Sequence, residues 1–290
     1  MKWDDYRQSD NVDDYRGGGG GGLGRATGGI GIGGMLLMGV LYFGFGIDPS
    51  FLLNSGLIGG GGQAPTQQSA PRHVDPNDPL ARFVSTVLAT TEDAWTQVFR
   101  ENGQIYEKPR LTLFSDEIAS GCGDAESAMG PFYCPNDRRV YLDMAFFNEL
   151  ATKFKAPGEF ANAYVIGHEI GHHVQNLLGI LPKVQQAQRG LDKASANGLQ
   201  VRVELQADCF AGVWANRVNR IKPGFLDQND IAAAIRAASA VGDDTIQRRT
   251  IGRVVPESFT HGSAQQRASW FQQGLKAGKI EACNTFQQSQ

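Results

Sequence analysis

The sequence predicts an α+β domain, mainly helical with a small early sheet, set behind an amino-terminal segment of different character. Three observations predict it. Two short runs with strand patterning, RLTLF and RVYLDM, sit early in the body, and the long apolar-periodic stretches that follow repeat with helical spacing. About 20 of the 37 glycines crowd between Gly17 and Gly62, a window too glycine-rich to be globular, which leaves a body of ordinary composition after it.

Taken in order, Met1 to Arg16 are polar and charged with no periodicity, and Gly17 to Gly22 are an unbroken glycine run. Residues 1–29 therefore read as a polar tail. Residues 30–47, IGIGGMLLMGVLYFGFGI, carry no charge over 18 positions, the lower edge of a membrane span. The stretch starts late, and DPSFLLNSG after it offers no small-x-small cleavage site, so an uncleaved anchor is expected rather than a signal peptide. Arg16 and Arg25 precede the span and no Lys or Arg follows until Arg72, which predicts a cytoplasmic amino terminus and an exported body. Residues 48–77 read as a flexible linker.

The body, 78–290, opens with Asp78 as a helix cap and Pro79 at the first helical position, and that helix ends near Gly103. Arg110 to Phe114 and Arg139 to Met144 read as strands, with a Gly-rich loop between them. Phe160 to Leu178 reads as a helix stopped by Gly179 and Pro182. Leu199 to Val218, Ile231 to Val241 and Ala264 to Ala277 follow, the last opened by a Ser263/Gln266 capping box.

A net charge of −3, from 27 basic and 30 acidic residues, excludes a strongly basic nucleic-acid binder. The four cysteines, Cys122, Cys134, Cys209 and Cys283, all lie in the body without C-x-x-C spacing, which argues against a cysteine metal site. An even count in an exported domain suggests two disulfides. Three connectivities are possible; Cys122–Cys134, closing a local loop, and Cys209–Cys283, tying the carboxy terminus to a helix, are favoured.

Histidine is scarce, five in all, and two fall in HEIGH, His168 to His172. Positions i and i+4 of a helix lie one above the other, so both imidazoles can reach one cation, while Glu169 projects beside them where it can serve a water. Gly167 and Gly171 remove bulk where another backbone could approach. A catalytic zinc takes a third protein ligand from elsewhere. Glu204 and Asp208, again i and i+4 and on a largely apolar helix, supply candidates: one carboxylate for the metal, the other for the spare N–H of a ligand histidine. His173 points about a hundred degrees away from His172 and is not expected to bind. His73 has no assigned role. Two imidazoles and one carboxylate with an open position fit one Zn²⁺ per chain.

HEIGH followed by E-x-x-x-D resembles the gluzincin-type zinc peptidases. Together with SDNVDD, LATTEDAW, GPFYCP, VELQADCFAGVW and GRVVPESFTHGSAQQR, it resembles the bacterial neutral zinc metallopeptidase family over essentially the whole chain. The resemblance implies a zincin-like domain behind one transmembrane helix. The amino terminus would be cytoplasmic, and the catalytic domain periplasmic or extracellular, on a bacterial inner membrane. It implies zinc on His168, His172 and Glu204, Asp208 behind a histidine, and Glu169 as general base. His261, in a loop before a capped helix, resembles the T-H-P…R segment of related membrane zinc peptidases and is a candidate oxyanion donor. Arg267 is expected to orient His261 or the substrate, and Tyr164 is a weaker donor candidate. By analogy the strand RVYLDM offers a sheet edge for an extended peptide. The expected function is hydrolysis of peptide bonds in proteins or peptides. The competing readings are a cell-wall peptide amidase and a catalytically silent, metal-stabilised binding or chaperone-like protein.

Overall fold

In a computed structural model, residues 1–16 and 70–287 are described. The expected membrane span at residues 30–47 lies outside them. Among the described residues, no helix is long and apolar enough to cross a membrane. The α+β class is found. A four-stranded sheet has the order β1-β2-β6-β5, where β1 is Val12–Asp14, β2 Arg110–Phe114, β5 Phe132–Cys134 and β6 Arg139–Asp143. β1, β2 and β6 run parallel, and β5 is antiparallel to β6. A separate hairpin pairs β3 (Glu117–Ser120) with β4 (Gly123–Glu126). The stretch read as a loop between the two predicted strands thus holds three more strands, each of three or four residues. The disulfide Cys122–Cys134 joins the β3–β4 turn to β5, with Cα atoms 5.8 Å apart.

Eight α-helices are described: α1 (Pro79–Glu101), α2 (Ala145–Thr152), α3 (Glu159–Leu177), α4 (Ile180–Gln188), α5 (Lys193–Ile221), α6 (Gln228–Ala240), α7 (Asp243–Thr250) and α8 (Ala264–Ala277). The predicted caps hold. The Asp78 side chain accepts from Leu80 N and Ala81 N, and Ser263 with Gln266 forms a capping box. Pro182 does not stop the helical region as expected. Gly179 turns the chain at φ 71°, and Pro182 then sits in the first turn of α4, where a missing N–H leaves no hydrogen bond broken. Trp95, Trp214, Phe160 and Phe210 are fully buried where α1, α3 and α5 meet, and the Trp214 indole N–H donates to Thr90 Oγ1 at 3.1 Å.

The amino terminus differs most from expectation. Met1–Arg16, read as a structureless tail, is an arm docked along the body. The Met1 ammonium pairs with Asp230 at 2.7 Å, Lys2 N donates to Phe225 O, and the Trp3 ring meets Phe83 edge-on. Glu92, 1% exposed, accepts from Ser9 Oγ at 2.5 Å, Asn11 Nδ2 at 2.7 Å and Arg7 at 2.8 Å. Burial pushes the Glu92 carboxyl up, but those donors outweigh it and hold it below its ordinary range. Val12–Asp14 then pairs with Leu111–Leu113, and Asp13 is held by Arg110 and by Arg139 at 2.6 Å. The chain leaves this arm beside the point where it re-enters. Asp14 and Arg72 exchange backbone hydrogen bonds of 3.0 and 2.9 Å, and Arg16 pairs with Asp78 at 2.8 Å. Hydrophobic periodicity is blind to such an arm, because a three-residue acidic strand is held by guanidinium groups distant in sequence.

Candidate metal centre

Helices α3 and α5 cross where both carry small residues. A Cβ on Gly171 would stand 2.8 Å from the Ala207 carbonyl oxygen, and one on Gly167 would stand 2.6 Å from the Trp214 ring. Gly171 plays the role read for both glycines, admitting another backbone; Gly167 instead makes room for a tryptophan ring. On the other side of α5, Gly212 and Gly274 admit the backbone of α8 and of α5 in turn. The disulfide Cys209–Cys283 ties α5 to the carboxy-terminal 3₁₀ turn, Ile280–Cys283.

This close crossing brings the two i, i+4 pairs together. Glu204 Oε2 stands 3.2 Å from His168 Nε2 and 3.6 Å from His172 Nε2. The imidazoles are 4.8 Å apart between centroids, at 87°. One donor atom from each of His168, His172 and Glu204 lies within 4.8 Å of the other two. Glu169 is not in that cluster. It is buried beside it, and burial pushes its carboxyl above the ordinary value. The other oxygen of Glu204 accepts from Gln200 Nε2 at 3.0 Å, one turn earlier on α5. The donor set suits a divalent cation. Two imidazole nitrogens and a carboxylate oxygen converge in a buried site, and Glu204 keeps its charge well below the usual carboxylate range despite burial, through the facing histidines.

Asp208 stands behind His168 as expected: His168 Nδ1 donates to it at 2.9 Å. Two other candidates take different places. Tyr164, 1% exposed, donates its hydroxyl to Asp208. Arg267, 4% exposed, donates to Asp208 from Nε at 2.8 Å and Nη2 at 3.0 Å, and to Val241 O. Expected as oxyanion or substrate support, both are turned to Asp208, and the contacts they make are ones that hold it. Burial raises the Asp208 carboxyl, and the Arg267 charge and His168 bring it down to about 2. For His168, burial lowers the pKa, but Asp208 and Glu204 outweigh it and raise it to about 10.

His261 lies in the loop before α8, which presses on α5: a Cβ on Gly262 would meet Leu205 Cδ2 at 3.1 Å, next to Glu204. Asp243, which sequence reasoning missed, builds this loop. Its Oδ2 accepts the backbone N–H groups of Thr260, His261 and Gly262 at 2.8, 2.7 and 2.9 Å, and its Oδ1 faces His261 Nδ1 at 3.3 Å. Asp243 is separated from His261 by 18 residues and opens a helix of its own, so no local pattern marked it. Gln175 and Gln200 were legible in principle, at i+3 from His172 and i−4 from Glu204.

His173 is not a ligand. It is fully buried, donates from Nε2 to Glu107 O at 2.7 Å and accepts from the Tyr133 hydroxyl at 3.0 Å, pinning α3 to β5; burial lowers its pKa to about 4. The strand expected to offer a free edge, β6, is flanked by β2 and β5. Among the described residues β1 and β5 are the edge strands of this sheet, and β5 is fastened to α3 through the Tyr133–His173 hydrogen bond.

The family profile described as "Putative neutral zinc metallopeptidase" matches residues 1–286. The chain belongs to this family. It is 47% identical, over 298 aligned positions covering the whole of both chains, to the uncharacterized protein YpfJ of Escherichia coli K12. It is 45% identical to the uncharacterized protein Rv2575 of Mycobacterium tuberculosis over 214 positions, 71% of each chain. No solved structure matches it. The family points to zinc as the cation for the His168–His172–Glu204 cluster.

Proposed function

We propose that this protein is a zinc-dependent endopeptidase that hydrolyses peptide bonds of proteins or peptides. The observation that carries the reading is the division of labour among buried carboxylates: Glu204 shares a donor cluster with two histidines, and Glu169 lies beside that cluster but outside it. When bound there by His168, His172 and Glu204, zinc supplies Lewis acidity and lowers the pKa of water to about 7. Glu169, pushed up by burial, is suited to take a proton from that water and return it to a leaving amine. His261, oriented through Asp243, is the candidate donor to a developing oxyanion. The edge of β5, antiparallel within the sheet and fastened to α3, suits an extended peptide added as a further strand. A metal helix beside such an edge supports a zincin-like arrangement.

We place the body in an oxidising compartment, a reading supported by its two disulfides. The arm accompanies it. A chain that crossed a membrane once between Arg16 and Ala70 would put β1 and β2 on opposite sides, where they could not pair.

The test is the purified full chain incubated with an unfolded protein and, separately, with cell-wall peptide fragments, each with and without chelator. Chelator-sensitive cleavage of the unfolded protein, absent in Glu169→Gln, is expected. Cleavage of cell-wall fragments alone would make it an amidase. No cleavage by fully zinc-loaded protein would make it a binding protein.

A further inference from the structure

The two metal-facing histidines are oriented by different chemistry. Asp208, with Arg267 and Tyr164, accounts for His168. Among the described residues, no carboxylate stands behind His172. Its Nδ1 lies 2.9 Å from Gln175 Oε1. Gln175 Nε2 donates to Val203 O at 2.8 Å and to Gln206 Oε1 at 3.0 Å, and Gln206 Nε2 donates to Cys283 O at 2.9 Å. Gln175 is 0% exposed and Gln206 5%.

The direction of this chain follows from its ends. Val203 O and Cys283 O are backbone carbonyls and can only accept. Gln206 must therefore turn its NH₂ to Cys283 and its oxygen to Gln175, and Gln175 must turn its NH₂ to Val203 and Gln206. Its oxygen is then committed to His172 Nδ1, which must donate. Flipping either amide would set carbonyl against carbonyl in a buried place. A protonated Nδ1 leaves the lone pair on Nε2, the nitrogen that faces Glu204.

We infer that Gln175 and Gln206 are positioning residues for the metal ligand His172, an amide relay that fixes its tautomer and ring orientation from the carbonyl of Cys283. The inference rests on the zinc reading of the site. The relay is neutral, so it orients His172 without adding a fourth carboxylate to a centre that already holds Glu204, Glu169 and Asp208. Its far end is clamped. Cys283 is disulfide-bonded to Cys209, which neighbours Asp208 on α5. One cross-link thus ties the end of the His172 relay to the helix turn that orients His168.

The test uses the full chain with two readouts. In the metal-free protein, at a pH where the ring is neutral, ¹⁵N spectra assign the His172 proton. The wild type should carry it on Nδ1, and Gln175→Met should shift it toward Nε2. In competition with a chelator, Gln175→Met should raise the zinc dissociation constant by about 10–100-fold. Gln206→Met should have a smaller effect, because Gln175 keeps Val203 as an acceptor. A wild-type His172 protonated on Nε2 would overturn the relay, as would zinc affinity unchanged in folded Gln175→Met. If the wild type takes up no zinc, the metal reading fails instead, and the tautomer alone decides the relay. If Gln175→Met does not fold, the wild-type spectrum and Gln206→Met still decide it.

Discussion

Helices α3 and α5 meet through glycines, whereas the amino-terminal arm meets the body through ion pairs, a short strand and the rings of Trp3 and Tyr6. At Gly167 and Gly171 there is no side chain to adjust, and the helix separation is set by backbone and by the Trp214 ring. The arm's ion pairs run through the long, adaptable side chains of Arg7 and Arg16 and, at Asp13, of Arg139, around one short strand. The difference follows from what each region positions. Donor atoms on two helices converge within 4.8 Å only if the helices cross at a fixed distance. An arm that completes a sheet needs its backbone ladder and neutralised carboxylates, and tolerates some slack.

The largest effect should come from the crossing. Gly171→Val puts atoms where the Ala207 backbone already stands, so the helices must part. Stability should fall by about 1–3 kcal/mol or more, and stoichiometric zinc should be lost in elemental analysis. Full zinc in this variant would mean the crossing does not set the site.

Removing residues 1–16 should act differently. Glu92 would lose Ser9, Asn11 and Arg7 and keep Lys108 at 3.5 Å, at roughly 1.5–3 kcal/mol for each hydrogen bond to the charge less what solvent returns, read by denaturant melts. Zinc per folded chain should be unchanged; loss of zinc together with the arm would erase the contrast. The same arm sharpens the question of location. Cysteines introduced singly at Asp5 and at Gln186, both exposed, should react with a membrane-impermeant thiol reagent from the same side in intact cells or spheroplasts. Labelling from opposite sides would show that β1 does not pair with β2 in the cell.

A smaller effect is expected behind His168. Asp208→Asn removes the charge that Arg267 faces and weakens the acceptor for Nδ1, and zinc affinity should drop by about 10–100-fold in a chelator titration. An unchanged affinity would leave the Asp208 network a packing feature.

What the sequence made legible divides along the same line. The HEIGH helix, the Glu204/Asp208 pair and the glycines between them were readable because helical spacing alone puts them on one face. Asp78 and Ser263 marked helix starts because capping is local. The arm, β3, β4 and β5 were not readable, being short, polar or both, and β1 takes its partner from a strand distant in sequence. Helix α7, DDTIQRRT, has almost no apolar face; acidic residues in its first turn and arginines in its last suit the helix dipole. Tyr164 and Arg267 could be singled out from the sequence, but their direction was not readable. Whether a buried arginine faces a substrate or a carboxylate depends on a helix 59 residues away in sequence.

The central claim is that Glu204 holds the metal and Glu169 serves the water. Zinc content by elemental analysis, measured beside peptide hydrolysis on Glu169→Gln and Glu204→Gln, tests it most directly. Glu169→Gln should keep one zinc per chain and lose about 10²–10⁴-fold in turnover, the scale of a general base. Glu204→Gln should lose zinc, with activity falling in step. A Glu169→Gln protein that loses its metal while Glu204→Gln keeps it would contradict the assignment.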